Sequence, residues 1–235
     1  MSSLRDLRAG LKNEASQKQA AIYSSFFKTG PGEYGEGDVF IGVKVPVLRK
    51  LAREYRDLAL RDVERLLGSE IHEERMLALL IMMLQFQKGD ARARAAVYRL
   101  FVEQIKQVDN WDLVDTSVPT IVGGHLAGRS RRPLHTWARS RDLWRRRVAI
   151  IATFHFIRAG EFDETLKIAE LLLHDEHDLI HKAVGWMLRE VGKRDRKVEE
   201  RFLEKHYREM PRTMLRYAIE RFPERRRKAY LRGTV

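Results

Sequence analysis

Apolar residues recur at i, i+3, i+4 and i+7 along almost the whole of this chain, punctuated by glycine, proline and clusters of charge. Almost no stretch shows the period of two that a half-buried strand requires, so the pattern predicts an all-α fold. A longer period lies above the helical one. Glu74-Arg75-Met76-Leu77-Ala78, Arg146-Arg147-Val148-Ala149-Ile150, His181-Lys182-Ala183-Val184-Gly185 and Leu215-Arg216-Tyr217-Ala218-Ile219 each place small and apolar residues after a charged one. They lie in phase with Trp111: the steps from Arg75 to Trp111, Arg147, Lys182 and Arg216 are 36, 36, 35 and 34 positions.

A period of this length fits two antiparallel helices per repeat, the pattern of HEAT or armadillo helical solenoids, although HEAT units are usually somewhat longer. Each pair buries its apolar face only against its neighbours, which predicts a curved array with a long concave, basic groove. The expected organisation is one domain over residues 1–235. Within it, 1–43 would hold opening helices (4–28) and a glycine-rich loop, and 44–235 the stacked pairs. Pro46 falls in the first turn of a helix predicted over 46–56, where its missing N–H costs little. The loop Gly30-Pro31-Gly32-Glu33-Tyr34-Gly35-Glu36-Gly37-Asp38 has the glycines of a phosphate loop. It also carries three acids and lacks the Gly-Lys-Ser/Thr ending, so its carboxylates would repel a phosphate.

Charge and composition narrow the function. The 235 residues, 44% of them hydrophobic, suffice for a real core, and 45 Lys and Arg against 33 Asp and Glu give a formal charge of +12. Such an excess favours a polyanionic partner, although membrane-surface proteins share it. With no cysteine, a disulfide framework, a thiolate zinc site, a ligated iron–sulfur cluster and a cysteine nucleophile are all excluded. The start, Met1-Ser2-Ser3-Leu4-Arg5-Asp6, leads into a charged helical pattern rather than an apolar signal core. No run approaches the ~18 apolar residues of a spanning helix. A soluble, cytoplasmic protein is expected.

The repeat register singles out a small set of side chains. Trp111 and Asp115 lie four apart and so one helical turn above each other. On sequence spacing, Arg147 takes the place of Trp111 in its repeat, and Trp186, four after Lys182, that of Asp115. An acid, a guanidinium and two indoles could then face one ligand. Each has a plainer reading. Tryptophan in a helical protein is usually core, as expected here of Trp137 and Trp144. Arg147 could be a structural ion-pair partner of Asp115. Asp115 has no cap position to fill, however, and an acid on the buried side of a helix needs a partner.

At these residues the chain resembles a known family. Trp111-Asp112-x-Val114-Asp115 followed by Val118-Pro119-Thr120, then Leu143-Trp144-x-x-Arg147-x-Ala149, then Lys182-Ala183-x-Gly185-Trp186-x-Leu188-Arg189-Glu190, is similar to the AlkD family of bacterial DNA glycosylases. Gly42-Val43-x-x-Pro46-x-x-Arg49 near the start matches as well, and the resemblance covers most of the chain. It implies a helical-repeat enzyme that removes cationic alkylpurines, such as 3-methyladenine and 7-methylguanine, from duplex DNA without flipping the base, with no metal or other cofactor. By that match Asp115 is the catalytic carboxylate, Trp111 and Trp186 the aromatic pair around the lesion's deoxyribose, and Arg147 the arginine beside them. The match also makes Lys44, Pro46 and Arg49 a DNA-contacting segment. The chain departs from the family at Val45, where a side-chain hydroxyl contact would be lost.

Basic residues supply a track for the backbone of the DNA. From Arg129 through Arg147 there are eight arginines and a single acid, Asp142. Arg145 and Arg146 of this group, with Lys182 and Arg189, are further candidates for phosphate contacts. Arg225-Arg226-Arg227-Lys228 could serve DNA or be a solvated face. His174, His177 and His181 have metal-like spacing, but acids beside them at a helix opening more simply complement its dipole. Two other readings stay open: a DNA-structure-binding relative without glycosylase activity, and a helical-repeat scaffold for an acidic protein. The partner expected is double-stranded DNA carrying alkylated bases, bound by a monomer.

Overall fold

The computed structural model describes residues 3–235, and among them there is no strand, only an isolated bridge between Val39 and Ile71. The fold is all-α, a helical-repeat architecture as the periodicity predicts. Its contacts divide into two compact units, Met1–Ile121 and Val122–Val235. No helix among the described residues is long and apolar enough to cross a membrane.

The first unit contains α1 (Leu4–Asn13), α2 (Gln17–Phe26), α3 (Val45–Glu54), α4 (Leu60–Leu67), α5 (His72–Lys88), α6 (Ala91–Glu103) and α7 (Trp111–Val118). The helical pattern over 4–28 resolves into two helices because Ser16 accepts the Gln19 N–H and starts α2 afresh, as Ser3 does for α1 through Asp6. α3 begins at Val45, with Pro46 in its first turn as expected. The centre of the unit is α5. Its run Met76–Met82 is buried throughout, and α3, α4, α6 and α7 pack around it. A helix apolar all round belongs inside.

The second unit contains α8 (Gly124–Leu126), α9 (Arg132–Ala138), α10 (Leu143–Ala152), α11 (Phe154–Arg158), α12 (Asp163–Leu171), α13 (Asp178–Gly192), α14 (Arg196–His206), α15 (Arg212–Ala218) and α16 (Glu224–Arg232). Here α13 is central, packed by α10, α12, α14 and α15. A Cβ at Gly185 would sit 2.4 Å from the Met214 carbonyl oxygen and 2.5 Å from the Tyr217 Cβ, so glycine is what allows α13 and α15 to approach.

One arginine device appears in both units. Arg75, the fourth residue of α5, donates through Nη1 to the carbonyls of Ser69 and Glu70 (3.0 and 3.2 Å) and through Nη2 to Asp109 (3.2 Å), just ahead of α7. Arg146, the fourth residue of α10, donates to the carbonyls of Ser140 and Arg141 (3.1 and 2.9 Å) and to Asp175 (2.6 Å), just ahead of α13. Each ties the loop before its own helix to the start of a later one. This device refines the repeat register. Arg75 corresponds to Arg146 rather than to Arg147. Asp115, Arg147, Lys182 and Arg216 are each the fifth residue of their helices, so the counterpart of Arg147 and Lys182 is Asp115, one turn beyond Trp111.

Candidate functional site

In the first unit the site grows from the start of α7. Asn110 caps the helix through its side-chain oxygen, which accepts the Trp111 N–H at 2.8 Å. Trp111 and Asp115 are half-buried, while Leu113, Val114 and Val118 are buried. The apolar side of α7 thereby anchors a helix whose other side carries the indole and the carboxylate. The indole stacks on Phe27 (ring centroids 5.2 Å, planes 22° apart), and Phe26 meets its edge at 5.9 Å.

Beneath these rings lies a charged network that the sequence did not disclose. His72 is 3% exposed, stacked on Phe40 at 4.4 Å, and bonded through Nδ1 to Asp38 (2.7 Å) and through Nε2 to Asp112 (2.9 Å). Asp38 also accepts from Arg75 (2.8 Å) and Asn110 (3.1 Å). Burial opposes a charge on His72, but the hydrogen bonds to Asp112 and Asp38, with their negative charges, push the imidazole up to about 9. Burial raises the Asp38 carboxyl, but the hydrogen bond and charge of His72, with the charge of Arg75 and a bond from Asn110, hold it below its usual range. Asp112 thus ties α7 to the start of α5. His72 had no readable signal in the sequence because its partners are 34 and 40 residues away.

A second buried carboxylate anchors the segment ahead of α3. Glu73, 2% exposed, accepts the backbone N–H groups of Ile41 (3.1 Å), Gly42 (2.7 Å) and Val43 (3.2 Å). These bonds fix the chain that leads into Lys44, Pro46 and Arg49, all of which are exposed.

The His72 network makes stability depend on pH. Its folded value lies above the 6.5 of a free imidazole, so its stabilisation is complete below about pH 6.5 and is lost as the pH rises through about 9. Urea denaturation across that window is expected to show a decline of up to about 3 kcal/mol. His72→Gln should start lower and decline less; a parallel profile would remove His72 as the cause.

In the second unit the expected residues lie on α10 and α13. Arg147 is 5% exposed and donates through Nη1 to the Leu179 carbonyl. Trp186 is half-buried, 5.7 Å from the Phe154 ring, and its Nε1 donates to Glu190 at 3.3 Å. Burial raises the Glu190 carboxyl, but the hydrogen bond and charge of Lys193, with bonds from Arg194 and Trp186, bring it below its usual range. Lys182 is half-buried and bonded to Asp178 at 2.8 Å, one turn before it. Arg146 pairs with Asp175 and Arg189 with Glu220, whereas Arg145 stands half-buried on the first turn of α10. Trp137 is core and Trp144 half-buried.

The histidine triplet builds structure. The His177 ring accepts the Leu179 N–H and caps α13, His181 pairs with the Asp175 carbonyl, and His174 lies 3.6 Å from Glu209. Among the described residues no cluster of three or more His, Cys, Asp or Glu is placed to hold a metal ion.

The model of a family described as DNA alkylation repair enzyme matches residues 7–222. A solved structure titled as a predicted DNA alkylation repair enzyme from Enterococcus faecalis shares the fold, with a TM-score of 0.71 and 18% identity over 90% of this chain and 98% of that one. A search of curated proteins gives no match. With the family model spanning all but the two ends, the chain belongs to the DNA alkylation repair enzyme family, whose work is on DNA.

Proposed function

We propose that this protein is a DNA glycosylase that releases cationic N3- and N7-alkylated purines from duplex DNA and leaves an abasic site. The observation that carries the proposal is the pair Trp111 and Asp115, one turn apart on the polar side of α7 and both half-buried, in a chain of the DNA alkylation repair family. The family resemblance adds Arg147 on α10 and Trp186 on α13 to these residues.

The chemistry needs little beyond these residues. Alkylation at N3 or N7 places positive charge on the purine, so the bond from C1′ to N9 can break with its electron pair moving onto the base, which departs neutral. No general acid is required. The ionised Asp115 stabilises the positive charge that develops on the sugar and orients a water toward C1′; an oxygen–carbon bond forms there, and the water's proton passes to the carboxylate or to solvent. The indole faces favour a cationic over a neutral base by ~0.5 to 2 kcal/mol for each contact. Arg147, which donates to the Leu179 carbonyl, would hold a phosphate beside the lesion, as the family resemblance implies. A purine that leaves unaided has no need of a deep nucleobase slot, so base flipping is dispensable. Phosphate contact falls first to exposed Lys44 and Arg49 and half-buried Arg145, because Arg146, Lys182 and Arg189 are engaged with Asp175, Asp178 and Glu220.

Incubation with methylated duplex DNA tests the proposal directly: free 7-methylguanine and 3-methyladenine are expected, with abasic sites in equal number. A protein that retards the duplex but releases no base would instead be a binding member of the family, and one indifferent to DNA a scaffold for some other acidic partner.

A further inference from the structure

The glycine-rich loop between α2 and α3 reaches the indole of Trp111. Trp111 Nε1 donates to the Tyr34 hydroxyl at 3.2 Å, while Phe27 supports the ring from below. Stacking alone restrains the height of a ring but lets it slide and rotate in its plane; a directed hydrogen bond at the edge removes that freedom. The loop that presents Tyr34 is itself fixed. The N–H groups of Gly30 and Gly32 donate to Glu33 (3.0 Å) and Glu36 (2.9 Å), and that of Gly35 to the Lys28 carbonyl (3.1 Å). A Cβ at Gly35 would lie 2.5 Å from the Phe27 carbonyl oxygen, so glycine beside Tyr34 lets the loop lie against the residue on which the indole stacks. At its far end Asp38 joins His72, Arg75 and Asn110, and Asn110 caps the Trp111 N–H. The indole is therefore held at its edge, its face and its backbone by one connected frame.

We infer that Tyr34 is a positioning residue for base release: its hydroxyl fixes the plane of the Trp111 indole and so sets where the lesion's sugar rests relative to Asp115, one turn along α7. This inference rests on the glycosylase reading of Trp111 and Asp115. Small displacements of a reacting group are costly in rate and cheap in affinity, since the phosphate contacts lie elsewhere.

Tyr34→Phe keeps the ring and removes only the hydroxyl. Its kcat for 7-methylguanine release is expected to fall about tenfold, with affinity for undamaged duplex within about twofold and an unchanged Tm. In a Trp111→Phe background the same substitution should cost nothing further, because the group it positions is gone. An equal loss in both backgrounds, or no loss in either, overturns the inference. A second readout needs no turnover. Acrylamide quenching of Trp111 emission, isolated by difference from Trp111→Phe in the absence of DNA, should increase in Tyr34→Phe; unchanged quenching also overturns it. Were the unmodified protein to release no methylpurine, the glycosylase reading would fall, and quenching would still report whether the hydroxyl holds the indole.

Discussion

Asp115→Asn is expected to lower the release of 7-methylguanine by about 10²- to 10⁴-fold while leaving affinity for duplex DNA within about threefold. Asparagine matches aspartate in size and still accepts a hydrogen bond, so α7 should keep its packing on Leu113, Val114 and Val118. The lost element is the negative charge, which acts on the sugar only as that carbon turns positive. An interaction made in the transition state alone appears in kcat rather than in KM. Single-turnover release from methylated duplex, with a parallel mobility shift, separates the two. Turnover equal to that of the unmodified protein would remove Asp115 from the chemistry.

Glu73→Ala should be strongly destabilising, at about 3 to 5 kcal/mol. The Glu73 carboxylate accepts from the N–H groups of Ile41, Gly42 and Val43 in a buried setting, and alanine would leave those donors without it. Glu73→Gln should cost less, because its amide oxygen can still serve part of the set. Urea denaturation of both variants gives the comparison, and a loss under about 1 kcal/mol for the alanine variant would contradict the role assigned to the carboxylate. The same change should loosen the approach to Lys44 and Arg49, so weaker DNA binding is expected wherever enough folded protein remains.

Which parts of this molecule could be read in its sequence follows from the range of the interactions concerned. The period of 3.6 gives the helices, because each turn answers to residues three and four positions away, and the place of Pro46 in the first turn of α3 followed from the chemistry of one residue. Trp111 and Asp115 could be paired for the same reason. The repeat register was legible only to within a turn: it depends on where each helix begins, which caps such as Asn110 and Asp142 decide locally. Nothing local announces that His72 sits between Asp38 and Asp112, or that Tyr34 meets Trp111 across a separation of 77 residues. Glu73 was equally opaque. Beside Glu74 and Arg75 it reads as an ordinary acid in a helix's first turn, and only the folded chain brings Ile41, Gly42 and Val43 to it. Arg146 and Arg189 looked like parts of a basic track until their partners, Asp175 and Glu220, came into view.

The glycine-rich loop has spent its own amides: Glu33 and Glu36 accept the N–H groups of Gly30 and Gly32, and Asp38 is tied down at the far end. A segment so constrained has little left to order when DNA arrives. Its conformational entropy is surrendered when the chain folds rather than on association, so encounter with a duplex need not wait for a disordered arm to find its shape. On the glycosylase reading, each brief contact with undamaged duplex would then meet the Trp111 indole already set by Tyr34 and Phe27.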